Sequence, residues 1–431
     1  MLYPNLSVNQ KGHLEMAGYD TAELAEQYGT PLLLMDEMYL RKRCRTYVEA
    51  MREAFPEGSM PLYASKALCF KKMYHIAEQE GMGVDVSSPG ELYTALKAGF
   101  PMEKVYFHGN NKTDGDIRLA IESGLGYFIC DNADELKAID REAAVHGVVQ
   151  KILIRVTPGI DPHTHAKINT GRVDSKFGAA IETGQAEKLI QLAISCPHVK
   201  LCGYHCHIGS QIFEHGPFCD AAVLMLSFMK DIQNKYGYYP DILNLGGGMA
   251  VPYVEGDPSI DYRENILHIG KLLNQSCKEQ GVPVPVVLME PGRSTVADSG
   301  MTLYTVGGTK KIPGFKNYVS IDGGMTDNPR YTLYQSAYTV LPASRMNDPA
   351  DFTCTVAGRC CESGDLIQED VNLPELVRGD LLAVLTTGAY NFSMASNYNR
   401  VPRPAVVMLG ENESYTAVRR ESLEDLLRND M

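Results

Sequence analysis

A chain of 431 residues exceeds what one ordinary hydrophobic core supports and predicts two domains. Its 44% hydrophobic content is that of a soluble globular enzyme, and its net charge of −13 argues against nucleic acid, which requires a basic face. Eleven cysteines, an odd number with no CxxC pair and no disulfide-framework spacing, point to reduced thiols and a cytoplasmic setting.

The opening residues lack a basic segment followed by an apolar run, so no signal peptide is expected. No stretch approaches the length of a membrane span. Asp20-Thr-Ala-Glu23 has capping-box spacing and predicts a helix stopped by Gly29 and Pro31, followed by a strand over 31–36. Eight short apolar runs come next, at 61–66, 82–85, 104–108, 126–131, 151–155, 201–207, 241–246 and 285–290. Between them lie segments with apolar residues at helical spacing, such as 90–99. Strands alternating with helices imply βαβ units and a parallel sheet, and eight such units make a TIM-like (β/α)₈ barrel, an α/β fold, expected over 37–295. After Arg293 the runs at 318–322, 352–357 and 381–386 are short, β-rich and separated by Gly, Pro and Asp. A second, all-β domain is therefore expected over 1–36 and 296–431.

Barrel enzymes work at the C-terminal ends of their strands. Lys66, Asp85, His108, Arg155, His207, Gly246-Gly-Gly248 and Glu290 all fall there. A lysine in that place can form a Schiff base with an aldehyde cofactor, although most lysines are solvated surface charges. The triple glycine lets backbone N–H groups approach a phosphate, or is simply a tight turn. Glu290-Pro291-Gly292-Arg293 ends the eighth run, and barrels commonly bind phosphate on the loops after strands seven and eight. A carboxylate beside a pyridine nitrogen favours its protonated form, whereas a plain structural glutamate caps or pairs. Lysine, phosphate cradle and carboxylate together make pyridoxal 5'-phosphate the economical cofactor.

His205-x-His207 could bind a metal or place one imidazole against the cofactor ring, with Gly209 and Ser210 as further phosphate donors. His163-x-His165 lies in the long 157–183 segment, which would overhang the catalytic face. Cys360-Cys361-Glu362 offers a thiol proton donor, or two buried small residues. Tyr390 in Gly388-Ala-Tyr390 could reach the phosphate, or be an ordinary strand aromatic.

Taken in order, these motifs resemble those of the diaminopimelate decarboxylases, in the alanine-racemase-like class of pyridoxal-phosphate enzymes. Tyr63-Ala-Ser-Lys66-Ala, His108-Gly-Asn-Asn-Lys112, Ser175-Lys-Phe-Gly178, His205-Cys-His-Ile-Gly-Ser-Gln211, Leu245-Gly-Gly-Gly248, Glu290-Pro-Gly-Arg293, Cys361-Glu-Ser-Gly-Asp365 and Gly388-Ala-Tyr390 span nearly the whole chain. The resemblance implies a barrel plus a β domain in a head-to-tail homodimer. It implies that Lys66 holds the cofactor, His207 stacks on the ring, and Glu290 pairs with its nitrogen. Gly248, Ser210, Arg293 and Tyr390 would surround phosphate or substrate, with Pro291 and Gly292 in the same loop. Arg330 and Tyr334 match the positions that hold the distal carboxylate of meso-diaminopimelate. Cys361 and Glu362 would come from the partner subunit, Cys361 as the proton donor. The chain departs from the pattern at Ser65, Leu68, Arg359 and Cys360.

The resemblance implies decarboxylation of meso-diaminopimelate to L-lysine. Within the class the alternative is another basic amino acid or carboxynorspermidine; Arg330 argues against a cationic far end. A metal-dependent hydrolase on the same barrel would require ligands at the first strand, where Lys66 stands. A cofactor-free regulator would have no use for Lys66, Glu290 and Cys361 together.

Overall fold

The computed structural model describes residues 3–160 and 175–431. His163, His165 and the middle of the 157–183 segment lie outside the described residues. Two compact units result, one formed by Arg43–Ala250 and Ser259–Ser294, the other by residues up to Lys42 with Val251–Pro258 and Thr295–Met431.

The first unit is a closed barrel of eight parallel strands: β1 (Met60–Ala64), β2 (Gly83–Val86), β3 (Val105–Phe107), β4 (Tyr127–Cys130), β5 (Gln150–Thr157), β6 (Val199–His205), β7 (Ile242–Asn244) and β8 (Val286–Met289). Each pairs with the next, and β8 returns to β1 through Leu288↔Met60. Helices follow the strands with local start and stop signals. The helix Pro89–Lys97 begins with Ser88 capping Glu91 N–H and proline in the first turn, and Ala133–His146 ends at Gly147 in the left-handed region.

Strand alternation then decides what the barrel encloses. Leu62, Tyr106, Ile129, Leu153, Ile242 and Leu288 pack together as one apolar cluster, each contributing on the order of 1.5–3 kcal/mol by burial. Gly203 shares their register, pairing with Leu153 and Ile242, and Gly83 pairs with Leu62. Two residues further along the chain the same face carries Ala64, Asp85, His108, Asp131, Arg155, His205, Asn244 and Glu290. Register confirms the row where it is paired: Ala64↔Asp85, and Arg155↔His205↔Asn244. An apolar plug therefore lies beneath a polar layer at the C-terminal end.

The second unit is built on a nine-stranded, mostly antiparallel sheet. Its long strand Gly300–Ile312 pairs with Lys316–Ile321, Leu381–Leu385 and Leu32–Asp36. Leu32–Asp36 also pairs in parallel with Ala405–Leu409. The core gathers Leu14, Met16, Leu32, Leu34, Met301, Leu303, Leu385, Val407 and Leu409. The helix Thr21–Tyr28 forms as expected, with Asp20 accepting from Ala22 N–H at 2.8 Å. The reciprocal half of the box is replaced, because Glu23 pairs with Lys11 at 2.9 Å instead. All eleven cysteines are free thiols. Among the described residues no helix is long and apolar enough to cross a membrane.

Candidate active site

Lys66 was expected to close a strand, but it sits two residues beyond the end of β1, in the 3₁₀ turn Ser65–Ala67. Both sides of that turn are buttressed. Ser65 donates to Glu91 at 2.9 Å, Glu91 also accepts Ser87 N–H at 2.6 Å, and the Tyr63 hydroxyl donates to Leu68 O at 2.7 Å. Across the barrel seam Ala64 N–H donates to Pro291 O at 3.0 Å, and a Cβ on Gly292 would stand 3.0 Å from that of Ala64. Pro291 and Gly292 thus bring the end of β8 against the backbone that presents Lys66.

Glu290 is the centre of the polar layer. Asn244 donates to its Oε1 at 2.7 Å, His205 Nε2 lies 3.2 Å from Oε2, and His108 Nε2 lies 2.9 Å from Oε1. Burial alone would raise this carboxyl's pKa. The two imidazoles outweigh burial and hold it well below the usual carboxylate range. Burial pushes His205 down to about 4, so at neutral pH it meets Glu290 as a neutral donor. Asp85 is fully buried 3.7 Å from His108, and burial raises its pKa. Neither of its oxygens accepts a hydrogen bond among the described residues. Arg155 is buried, lies over the Phe177 ring at 4.4 Å and is held lower than usual by desolvation.

His207 lies beside this layer. Burial, Lys66 and Arg155 hold it neutral, its pKa well below the ordinary histidine value. Gly247 N–H donates to its Nδ1 at 3.2 Å, which places the ring proton on Nε2. The glycine loop packs backbone to backbone: a Cβ at Gly247 would collide with Glu290 O, and one at Gly248 with Gly209 O. Gly248, at φ 126°, and Gly246, at φ 68°, adopt conformations that favour glycine. Arg293 Nη2 donates to Ser210 Oγ at 3.1 Å. The loops after β6, β7 and β8 thereby set a guanidinium, a hydroxyl and close-packed peptides on one rim. That donor set suits a phosphate monoester, and a buried carboxylate held ionised suits a protonated ring nitrogen, so the residues fit pyridoxal phosphate.

His108, His205 and Glu290 also bring three ligand atoms within 4.8 Å of one another, the one such group among the described residues. The cluster sits at the third, sixth and eighth strand ends, while the first carries Lys66.

The β-rich unit holds the remaining expected residues. Arg330, in the helix Arg330–Tyr334, is buried, with its guanidinium 5.1 Å from the Tyr334 ring centre and 5.8 Å from that of Tyr390. Tyr390 lies beyond the strand Leu381–Leu385, at φ 59°. Cys361 and Glu362 are exposed, in a turn joined to that helix by Thr332 Oγ1 donating to Gly364 O at 2.8 Å. Of the polar layer, Asn244 received no role from the sequence, Asp85, His108 and Arg155 were marked only by position, and His205 was weighed with His207 as a metal ligand or a partner of the cofactor ring. The signal that finds all five is parity: each stands two residues after a residue of the inward face.

Residues 41–297 match the family described as "Pyridoxal-dependent decarboxylase, pyridoxal binding domain". The chain is 44% identical over 423 residues to the diaminopimelate decarboxylase of Bacillus subtilis (strain 168), covering 98% of this chain and 96% of the relative. It is 44% identical to that of Staphylococcus aureus (strain COL), covering 98% of each. The solved structure of diaminopimelate decarboxylase from M. jannaschii in co-complex with L-lysine superposes with a TM-score of 0.92 at 33% identity, covering 99% of this chain and 98% of that one. The chain belongs to the pyridoxal-dependent decarboxylases, and among them to the diaminopimelate decarboxylases.

Proposed function

We propose that the protein decarboxylates meso-2,6-diaminopimelate to L-lysine with pyridoxal 5'-phosphate. The observation that carries the reading is Glu290, a buried carboxylate kept ionised by Asn244, His205 and His108 at the end of β8, across the seam from the Lys66 turn. When bound, the cofactor supplies the electron sink that lets a substrate carboxylate leave as carbon dioxide. Lys66 would hold the cofactor through its side-chain amine, at the aldehyde carbon where the substrate amine also binds. Glu290 keeps a proton on the ring nitrogen, and neutral His207 covers one ring face. Arg293, Ser210, Gly248 and Tyr390 take the phosphate side. Arg330, framed by Tyr334 and Tyr390, holds the substrate's distal carboxylate, which ornithine and arginine lack. Cys361 protonates the substrate carbon after carbon dioxide leaves, and Glu362 assists in substrate binding. Both act from the partner subunit of a head-to-tail homodimer, and the need of Cys361 to remain a free thiol supports placing the enzyme in the cytoplasm, where thiols stay reduced.

Carbon dioxide release from meso-diaminopimelate, ornithine, arginine and carboxynorspermidine tests the assignment. Turnover should be confined to meso-diaminopimelate and lost in Lys66→Ala with the fold intact. Turnover of ornithine at a comparable rate would overturn the substrate, and an active Lys66→Ala enzyme would overturn the role of that lysine.

A further inference from the structure

The turn that carries Cys361 is gripped on both sides of the Cys360–Cys361 peptide. Ahead of it, Cys360 N–H donates to Asp365 Oδ2 at 2.7 Å, while Asp365 Oδ1 accepts Met325 N–H at 2.6 Å. Asp365 is buried, and its own backbone carbonyl accepts Gly358 N–H at 2.8 Å. Backbone wraps the carboxylate closely: a Cβ on Gly358 would collide with it, and one on Gly324 would stand 2.5 Å from Oδ1. One side chain therefore ties the cysteine turn to the loop leading into Arg330, and Arg359 N–H to Gly323 O at 3.0 Å reinforces the tie. In the peptide itself Cys361 N–H donates to Asn399 Oδ1 at 2.7 Å, and behind it the Tyr398 hydroxyl donates to Cys361 O at 3.4 Å. Asn399 holds φ at 51°, a region that asparagine enters more readily than most residues.

We infer that Asp365 and Asn399 are positioning residues for Cys361, fixing the orientation from which its thiol delivers a proton. The inference rests on the role proposed above for Cys361. The chemistry of the two acceptors sharpens it. Asp365 accepts a different N–H with each oxygen, so an asparagine in its place turns an amide N–H₂ toward one of those donors whichever way it is flipped. Asn399 is exposed, so its loss removes one acceptor from the turn and little from the core.

The experiment uses the full-length, cofactor-loaded enzyme and the variants Asp365→Asn, Asn399→Gly and Asn399→Asp. Asn399→Gly keeps the backbone conformation without the acceptor, and Asn399→Asp keeps both. Asp365→Asn and Asn399→Gly should each lower kcat about ten- to a hundredfold, the scale of a misplaced catalytic group. KM for meso-diaminopimelate should move by less than about threefold. Asn399→Asp should restore kcat. Placed in a Cys361→Ala background, neither lesion should lower kcat further, because the group it positions is gone. Independently of turnover, the rate of Cys361 alkylation by iodoacetamide, read by peptide mass spectrometry, should change in both variants and recover in Asn399→Asp. Unchanged kcat and unchanged alkylation would overturn the inference, as would an equal loss of kcat with and without Cys361. If Asp365→Asn does not fold, Asn399→Gly decides alone. A fully active Cys361→Ala enzyme would instead remove the proton-donor role, and the alkylation rates would then decide the positioning by themselves.

Discussion

Glu290 and Asp327 are both buried carboxyls, and their surroundings push them in opposite directions. Around Glu290 the donors win, so the group stays charged. Glu290→Gln keeps the volume and removes the charge. It should leave the fold intact and lower kcat by about a hundredfold or more, the scale of one lost electrostatic partner in a closed site. Equal turnover would show that the ring nitrogen draws its proton from elsewhere. Asp327 is pushed from 3.8 up to about 7 by burial, against hydrogen bonds from the Tyr304 hydroxyl and Gly324 N–H. Between those two values the folded protein holds a proton that the unfolded chain has released. The stabilisation is therefore complete below about 3.8 and is lost as pH rises through about 7. Asp327→Asn lacks this titration. Its denaturation midpoint should gain on the native protein's as pH rises from 4 to 7; a constant gap would show that Asp327 titrates alike in both states.

At the scale of elements, the polar layer depends on how the loops after β3 and β4 are held. Lys112 is buried between them, donating to Gly109 O at 3.0 Å, to Ile129 O at 2.9 Å and to Glu135 at 2.8 Å. Glu135 belongs to the helix after β4, and its other contact is Asp131 N–H at 3.3 Å. Asp131 in turn accepts Gly178 N–H at 3.0 Å. One ammonium thus joins the loop after β3, the strand β4 and the helix that follows it, just behind His108. Lys112→Met fills the space but leaves Glu135 buried without its cation, and such breaks cost about 3–5 kcal/mol. A urea midpoint close to the native one would show that the pair contributes little.

For the whole molecule, the sharpest expectation concerns the dimer. If Lys66 and Cys361 of one site come from different subunits, the Lys66→Ala protein is inactive alone and the Cys361→Ala protein keeps only a small residual turnover. A mixed dimer then has one site with both lesions and one with neither. Mixing under conditions of subunit exchange should restore activity to at most about half of the sites in each mixed dimer. Exchange without recovery would put both residues in one chain.

Much of this was legible in the sequence because it depends on local pattern. Eight short apolar runs, each bounded by turn residues, could be read as strands, and all eight form. Lys66, Glu290 and the triple glycine could be placed at strand ends by counting alone. What the sequence did not show arises from packing between segments far apart in the chain. Lys66 sits in a turn rather than a strand, and that turn is held by Ser65 donating to Glu91, 26 residues further along the chain. Glu290 owes its ionisation to His108, His205 and Asn244, which barrel closure brings to one point. Asp365 and Asn399 grip the Cys361 turn through backbone contacts that no motif spacing displays. Local pattern determines which elements form and which way their side chains face. The charge state and orientation of a buried group depend on partners that only the closed fold supplies, since desolvation and hydrogen bonding act over a few ångströms whatever the separation along the chain.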